Sequence, residues 1–124
     1  MGVTGVTVIS VPVSDQDRAL AFYRDALGFV VLDDTQWNPA MRWLHLGVPG
    51  AGFTITLVTW FEKMPAGSMY GLVLEVDDID AVATDLHARG FLASADVESQ
   101  PWGRFVVIAD PDGNSIILQH SSRD

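Results

Sequence analysis

The chain has 124 residues, with 16 acidic side chains against 7 basic ones and a formal charge of −9. That length is one ordinary domain, with no room for a second domain carrying its own nucleotide fold, and so acidic a chain with scattered Lys and Arg repels a phosphate backbone, which argues against a nucleic-acid partner. Hydrophobic residues make up 48% and charged ones 19%, the balance of a chain that buries a core, and the lack of cysteine removes disulfides, thiolate nucleophiles and Cys-based zinc or iron-sulfur sites.

Residues 6–13 are dense in β-branched side chains (Val6, Thr7, Val8, Ile9, Val11, Val13) and predict a strand. Ser14, Asp15, Gln16 and Asp17 then supply an N-cap hydroxyl and first-turn acids for a helix over 15–27. In it Leu20, Tyr23 and Leu27 recur at helical spacing, and Gly28 stands at the C-terminal cap. Residues 29–32 predict a strand, 33–39 a loop, 41–46 a strand, and 53–60 another after the turn Pro49-Gly50-Ala51-Gly52. The stretch 61–70, holding Pro65 and Gly67, reads as a linker. Residues 71–76 begin again with a strand, and Asp77-Asp78-Ile79-Asp80 cap a helix with Ile79, Val82 and Leu86 on one face and Gly90 at its end. A weak strand is expected from Phe91, a clear one over 104–109, a turn at Asp110-Pro111-Asp112-Gly113-Asn114, and a last strand over 115–119.

The second half repeats the grammar of the first. Val13 and Val76, Asp15 and Asp78, and Asp17 and Asp80 are each 63 apart, and Leu27-Gly28-Phe29 answers Arg89-Gly90-Phe91 at 62. The expected fold is α+β, two tandem βαβββ modules in a single domain over 1–124. Module 1 covers about 5–60 and module 2 about 71–120, joined by the linker 61–70. No leader pattern precedes the first strand and no apolar run approaches ~20 residues, so a cytoplasmic protein without a membrane partner is expected.

Several segments together resemble one family over nearly the whole chain. They are Val11-Pro12-Val13-Ser14-Asp15 running into Ala21-Phe22-Tyr23-Arg24-Asp25-Ala26-Leu27-Gly28-Phe29, then Leu74-Glu75-Val76-Asp77-Asp78-Ile79-Asp80, and the turn 110–114. The resemblance is to the vicinal oxygen chelate superfamily of glyoxalase I, bleomycin-resistance proteins, fosfomycin-resistance enzymes and extradiol dioxygenases. It implies an eight-stranded open cup or barrel made from the two modules, often assembled across a homodimer, and a homodimer is expected here on that ground alone.

In metal-dependent members a His or carboxylate on the first and last strand of each module faces into the cup. The matching positions here are Val8, seven residues before Asp15, and its repeat mate Gly71, with Thr56 and Ile117 placed by Gly-x-x-Ile-x-Leu after Gly52 and Gly113. Divalent ions need imidazole nitrogen or carboxylate oxygen, and these four offer a single hydroxyl. Their immediate neighbours hold no His or carboxylate either. No metal and no cofactor are expected, which speaks against the metal-dependent lyase, dioxygenase and transferase activities that the resemblance would otherwise carry.

Strand alternation places Ser10, Thr54, Thr56, Val58 and Trp60 on the face of the old ligand positions, together with Val73, Glu75, Ser115 and Gln119. Taking Leu44 and Leu46 as helix-facing turns Met41, Trp43 and His45 inward, with Phe105 and Val107 as their counterparts in module 2. The expected ligand-binding set is therefore Trp37, Met41, Trp43, His45, Thr56, Val58, Trp60, Trp102 and Phe105, with Trp37 and Trp102 in Pro-flanked loops at the mouth. Walls of this kind suit a small aromatic molecule, a natural product or drug, held by stacking. The leading expectation is a binding and sequestering protein of the bleomycin-resistance type, opposed by the simpler reading in which the aromatics pack a core. The alternatives are a metal-independent enzyme in which His45 or Glu75 moves a proton, and a metal enzyme with ligands from unusual positions such as the same two residues. Asp15, Asp17, Asp77, Asp78 and Asp80 are explained as caps and dipole partners, and Arg104 as an ion-pair partner.

Overall fold

A computed structural model describes residues 2–122. It divides into two compact units, one running to Met69 and including Pro111–Asn114, the other formed by Tyr70–Asp110 and the chain from Ser115 onward. The turn after the seventh strand thus belongs to the first unit.

Unit 1 contains β1 (Val8–Pro12), α1 (Gln16–Leu27), β2 (Val30–Asn38), β3 (Met41–Gly47) and β4 (Thr54–Val58). Its sheet has the order β1-β4-β3-β2, with β1 parallel to β4 and the other pairs antiparallel. Unit 2 contains β5 (Leu72–Glu75), α2 (Ile79–Ala88), β6 (Glu98–Gln100), β7 (Gly103–Ala109) and β8 (Ser115–Ser121), ordered β5-β8-β7-β6 with the same directions. Each unit is a βαβββ module with its own four-stranded open sheet, the α+β grammar expected from the repeat.

Alternation decides which face of each sheet is core. In unit 1 Val11, Leu44, Leu46, Ile55 and Leu57 are fully buried, and with Ala19, Phe22 and Tyr23 of α1 they form the core. The helix seam runs through Ala19, Phe22 and Tyr23, with Leu20 and Leu27 only half-buried at its margin. In unit 2 Val106, Ile108, Ile116 and Leu118 pack with Ile79, Ala83 and Leu86, leaving Val82 half-buried. Gly28 ends α1 in the left-handed conformation, φ 76, where a side chain would be strained.

Four local expectations are corrected. The N-cap of α1 is the Asp15 carboxylate, which accepts from the Arg18 amide, while the Ser14 hydroxyl turns to Asp112. The stretch 33–39 is not a loop, because β2 runs unbroken to Asn38 and carries Trp37. Each residue of β2 is exposed, so no burial alternation marks it, and two register shifts, at Val31/Asp33 and Gln36/Asn38, disturb the period further. Phe91 starts no strand; its amide closes α2 by donating to the Leu86 carbonyl and its ring takes the Arg89 guanidinium at 5.3 Å. The sixth strand is Glu98–Gln100 instead. The fourth strand stops at Val58, leaving Trp60 beyond its end.

Candidate functional site: the open face of the first sheet

The face of the first sheet turned away from α1 is where chemistry concentrates. Register aligns Ser10 with Thr56, Thr56 with His45 and His45 with Asp33, one polar row crossing all four strands. The Ser10 and Thr56 hydroxyls lie 3.3 Å apart, and the Thr35 hydroxyl donates to Asp33 at 2.7 Å. One step along the strands, Trp43 pairs with Thr35, and its indole stacks on that of Trp37 with centroids 4.9 Å apart and planes 10° from parallel. The imidazole of His45 is 5.7 Å from the Trp43 ring. His45 Nε2 lies 2.7 Å from the Thr54 hydroxyl, which donates to the Thr7 carbonyl at 2.6 Å.

Trp37 is 53% exposed although it stacks on Trp43, so this indole pair is an aromatic platform reachable from solvent. Met41 is half-buried and its sulfur accepts from the Asn38 amide at 3.4 Å. Thr56 and Val58 belong to the same face but are buried, at 0% and 1% exposure, so the face is reachable at β2 and β3 and closed at β4. Trp60 is half-buried and meets Phe61 edge to face. A cleft of about 510 Å³ lies at the end of the same sheet, between Val6, Thr7 and Leu32 and the turn from Gly47 to Thr54.

The remaining expected residues belong to unit 2. Trp102 occupies the two-residue turn between β6 and β7 and is 58% exposed. Phe105 and Val107 line a cleft of about 270 Å³ with Leu92 and the acids Asp96 and Glu98. Glu75 accepts from the amide and hydroxyl of Ser121 at 2.9 and 2.6 Å. The row equivalent to Ser10, Thr56 and His45 is here Val73, Ile117 and Val107, all apolar. The two modules share a backbone and differ in what their open faces can do.

At Val8, Thr56, Gly71 and Ile117 the only side-chain donor is the Thr56 hydroxyl, and it is fully buried against Ser10. No group of three His, Cys, Asp or Glu among the described residues is placed to hold one ion. The donor set does not fit a divalent metal.

Two arginines at repeat-equivalent places hold ion pairs, one in each module. Arg42 on β3 binds Asp17 at 2.8 Å and Asp34 at 2.9 Å, and Arg104 on β7 binds Asp80 through both terminal nitrogens. The Arg42 hydrogen bonds hold the Asp34 carboxyl below the usual carboxylate range, and Asp34 and Asp17 in turn push Arg42 further up. Arg104 lowers Asp80 in the same way. These helix-start acids are therefore strand-to-helix ties as well as dipole partners, a role visible in sequence only through the 62-residue spacing of Arg42 and Arg104.

What sequence reasoning missed on the open face is Asp33, Thr35 and the Thr7–Thr54 link. The first two lay in the supposed loop. The pairing of Val8 with Thr54 brings β1 and β4 side by side, and that long-range register is not readable from either strand alone.

A family model for the Glyoxalase/Bleomycin resistance protein/Dioxygenase superfamily matches residues 5–118. Among solved structures, TnmS3, an antibiotic binding protein from Streptomyces sp. CB03234, is 41% identical with a TM-score of 0.87, covering 98% of this chain and 99% of that one. A superfamily member from Sphaerobacter thermophilus is 34% identical with a TM-score of 0.86, covering 97% and 99%. Lactoylglutathione lyase of Haemophilus influenzae is 29% identical over 113 residues, 84% of this chain and 83% of its own.

Proposed function

Because the chain belongs to the Glyoxalase/Bleomycin resistance protein/Dioxygenase superfamily, we propose that it is a small-molecule binding protein that sequesters a planar aromatic compound of the natural-product or drug type on the open face of its first sheet, without a metal. The parallel Trp37–Trp43 pair carries the reading. Two large apolar rings left reachable by solvent cost hydration free energy that burial would recover, and an aromatic guest recovers it by stacking, worth about 0.5–1.5 kcal/mol per ring pair beyond the area buried. The likeness to an antibiotic binding protein supports the ligand class.

Trp37, Met41, Trp43 and His45 are the proposed contact residues in unit 1, with the buried Thr56 and Val58 beside them on the same face and Trp60 at the margin. Trp102 and Phe105 are proposed as secondary contacts of unit 2. The same reading includes a cytoplasmic location and a homodimer, the dimer alone being supported by exposed Val73 and Val107 on the open face of the second sheet.

Calorimetric titration with 2-naphthol and with acridine tests the proposal. Saturable binding that falls at least about tenfold in both Trp37→Ala and Trp43→Ala, near 1.4 kcal/mol, is the expected result. Binding untouched by either substitution would move the site elsewhere. A second reading, proton transfer at His45 in an enzyme of the same fold, is favoured by the imidazole standing beside the platform. It predicts turnover that His45→Phe abolishes while ligand binding persists.

A further inference from the structure

The hydrogen bonds around His45 fix which of its nitrogens carries a proton. The Thr7 carbonyl can only accept, so the single hydroxyl proton of Thr54 is committed to it at 2.6 Å. The Thr54 oxygen then meets His45 Nε2 at 2.7 Å as an acceptor, and Nε2 must be the donor. In the neutral ring this leaves the lone pair on Nδ1. Among the described residues Nδ1 has no hydrogen-bond partner, and no side-chain nitrogen or oxygen that is buried lacks one, so Nδ1 is open to solvent. The nearest acid across the sheet, Asp33, takes the Thr35 hydroxyl.

An accessible hydrogen-bond acceptor therefore stands 5.7 Å, ring centre to ring centre, from Trp43 of the aromatic platform. We infer that the site selects planar aromatics bearing a hydrogen-bond donor on the ring edge, a phenol-type hydroxyl, with His45 Nδ1 as the acceptor and Thr54 as the positioning residue that holds the ring in that tautomer. The inference rests on the reading of the platform as the binding surface. Thr54 touches no ligand in this arrangement; it acts through the imidazole. An aromatic lacking the donor still stacks, but it strips Nδ1 of water and returns nothing, which is how a polar group in a binding site rejects an isostere.

The test compares 2-naphthol with its methyl ether, 2-methoxynaphthalene, by chemical-shift titration, and reads the tautomer of His45 from ¹⁵N shifts of histidine-labelled protein. The expected result is an Nε2-protonated ring in the free protein and about tenfold tighter binding of the naphthol. His45→Phe should bring the two affinities together, and Thr54→Val, which keeps the shape of the side chain, should shrink the preference and mix the tautomers. Equal affinities in the wild type, or an Nδ1-protonated or doubly protonated ring there, overturn this inference alone. A preference that survives Thr54→Val with the tautomer unchanged overturns the role of Thr54. Failure of both compounds to bind overturns the proposed function and this inference with it.

Discussion

Replacing Asn114 with alanine should destabilise unit 1 by about 3 kcal/mol. The side chain is fully buried, its amide donates to the Pro12 carbonyl at 2.7 Å and its oxygen accepts from the Met69 amide at 3.0 Å. Each bond contributes about 0.5–1.5 kcal/mol net, and a buried partner left without one costs about 1–3 kcal/mol, so two losses partly relieved by water sum to about 3 kcal/mol. With a urea slope of about 2 kcal/mol/M the midpoint falls by roughly 1.5 M. Asn114→Asp is the sharper probe. It keeps the acceptor for Met69 and sets a carboxylate oxygen against the Pro12 carbonyl, so it should lose at least as much as the alanine variant. Equilibrium urea unfolding followed by circular dichroism measures both. An alanine variant within about 1 kcal/mol of wild type, or an aspartate variant more stable than the alanine one, would refute the reasoning. The stake is functional, since Pro12 ends the strand that carries Ser10 onto the open face.

Gly67→Ala should cost about 2 kcal/mol or more in the same assay: φ there is +84, and an added Cβ would lie 2.1 Å from the Asp112 carbonyl oxygen. Asp34 makes stability depend on acid. Its folded carboxyl titrates below that of the unfolded chain, whose ordinary value is ~3.9, so the Arg42 pair stabilises fully above the unfolded value and fades as pH falls through the folded one. The urea midpoint of wild type should therefore exceed that of Asp34→Asn at neutral pH and converge on it in acid; a gap that widens in acid would show the sign to be wrong. Thr56→Val should be tolerated, at about 1 kcal/mol or less, because its 3.3 Å contact is long and half-buried Ser10 can turn to water; a larger loss in thermal melting would mean that the hydroxyl pair holds β1 to β4.

The repeat made most of the fold legible. A spacing of 63 residues between Asp15 and Asp78 marks two helix caps, and both carboxylates do accept from amides three residues on. Leu44 and Leu46 set the phase of β3, and that phase put Trp43 and His45 on the opposite face, where the structure has them. What escaped was strand β2. Its Asp33-Asp34-Thr35-Gln36 run is polar because both faces are exposed, and hydrophobic alternation has nothing to report on such an edge. This bears on the site, since local pattern puts Trp37 in a loop whereas β2 holds it against Trp43. The other gap is long-range: Ser14 turns from capping the helix to Asp112, 98 residues away, which no local pattern encodes.

The four tryptophans each contribute one indole N–H resonance, and their response to added 2-naphthol in ¹H–¹⁵N spectra tests the binding surface most directly. If the open face of the first sheet is the site, the Trp37 and Trp43 signals shift together along one saturable isotherm and Trp60, at the margin, shifts less. Saturation that moves Trp60 and leaves Trp37 and Trp43 unchanged, or no shift in any of the four, would contradict it.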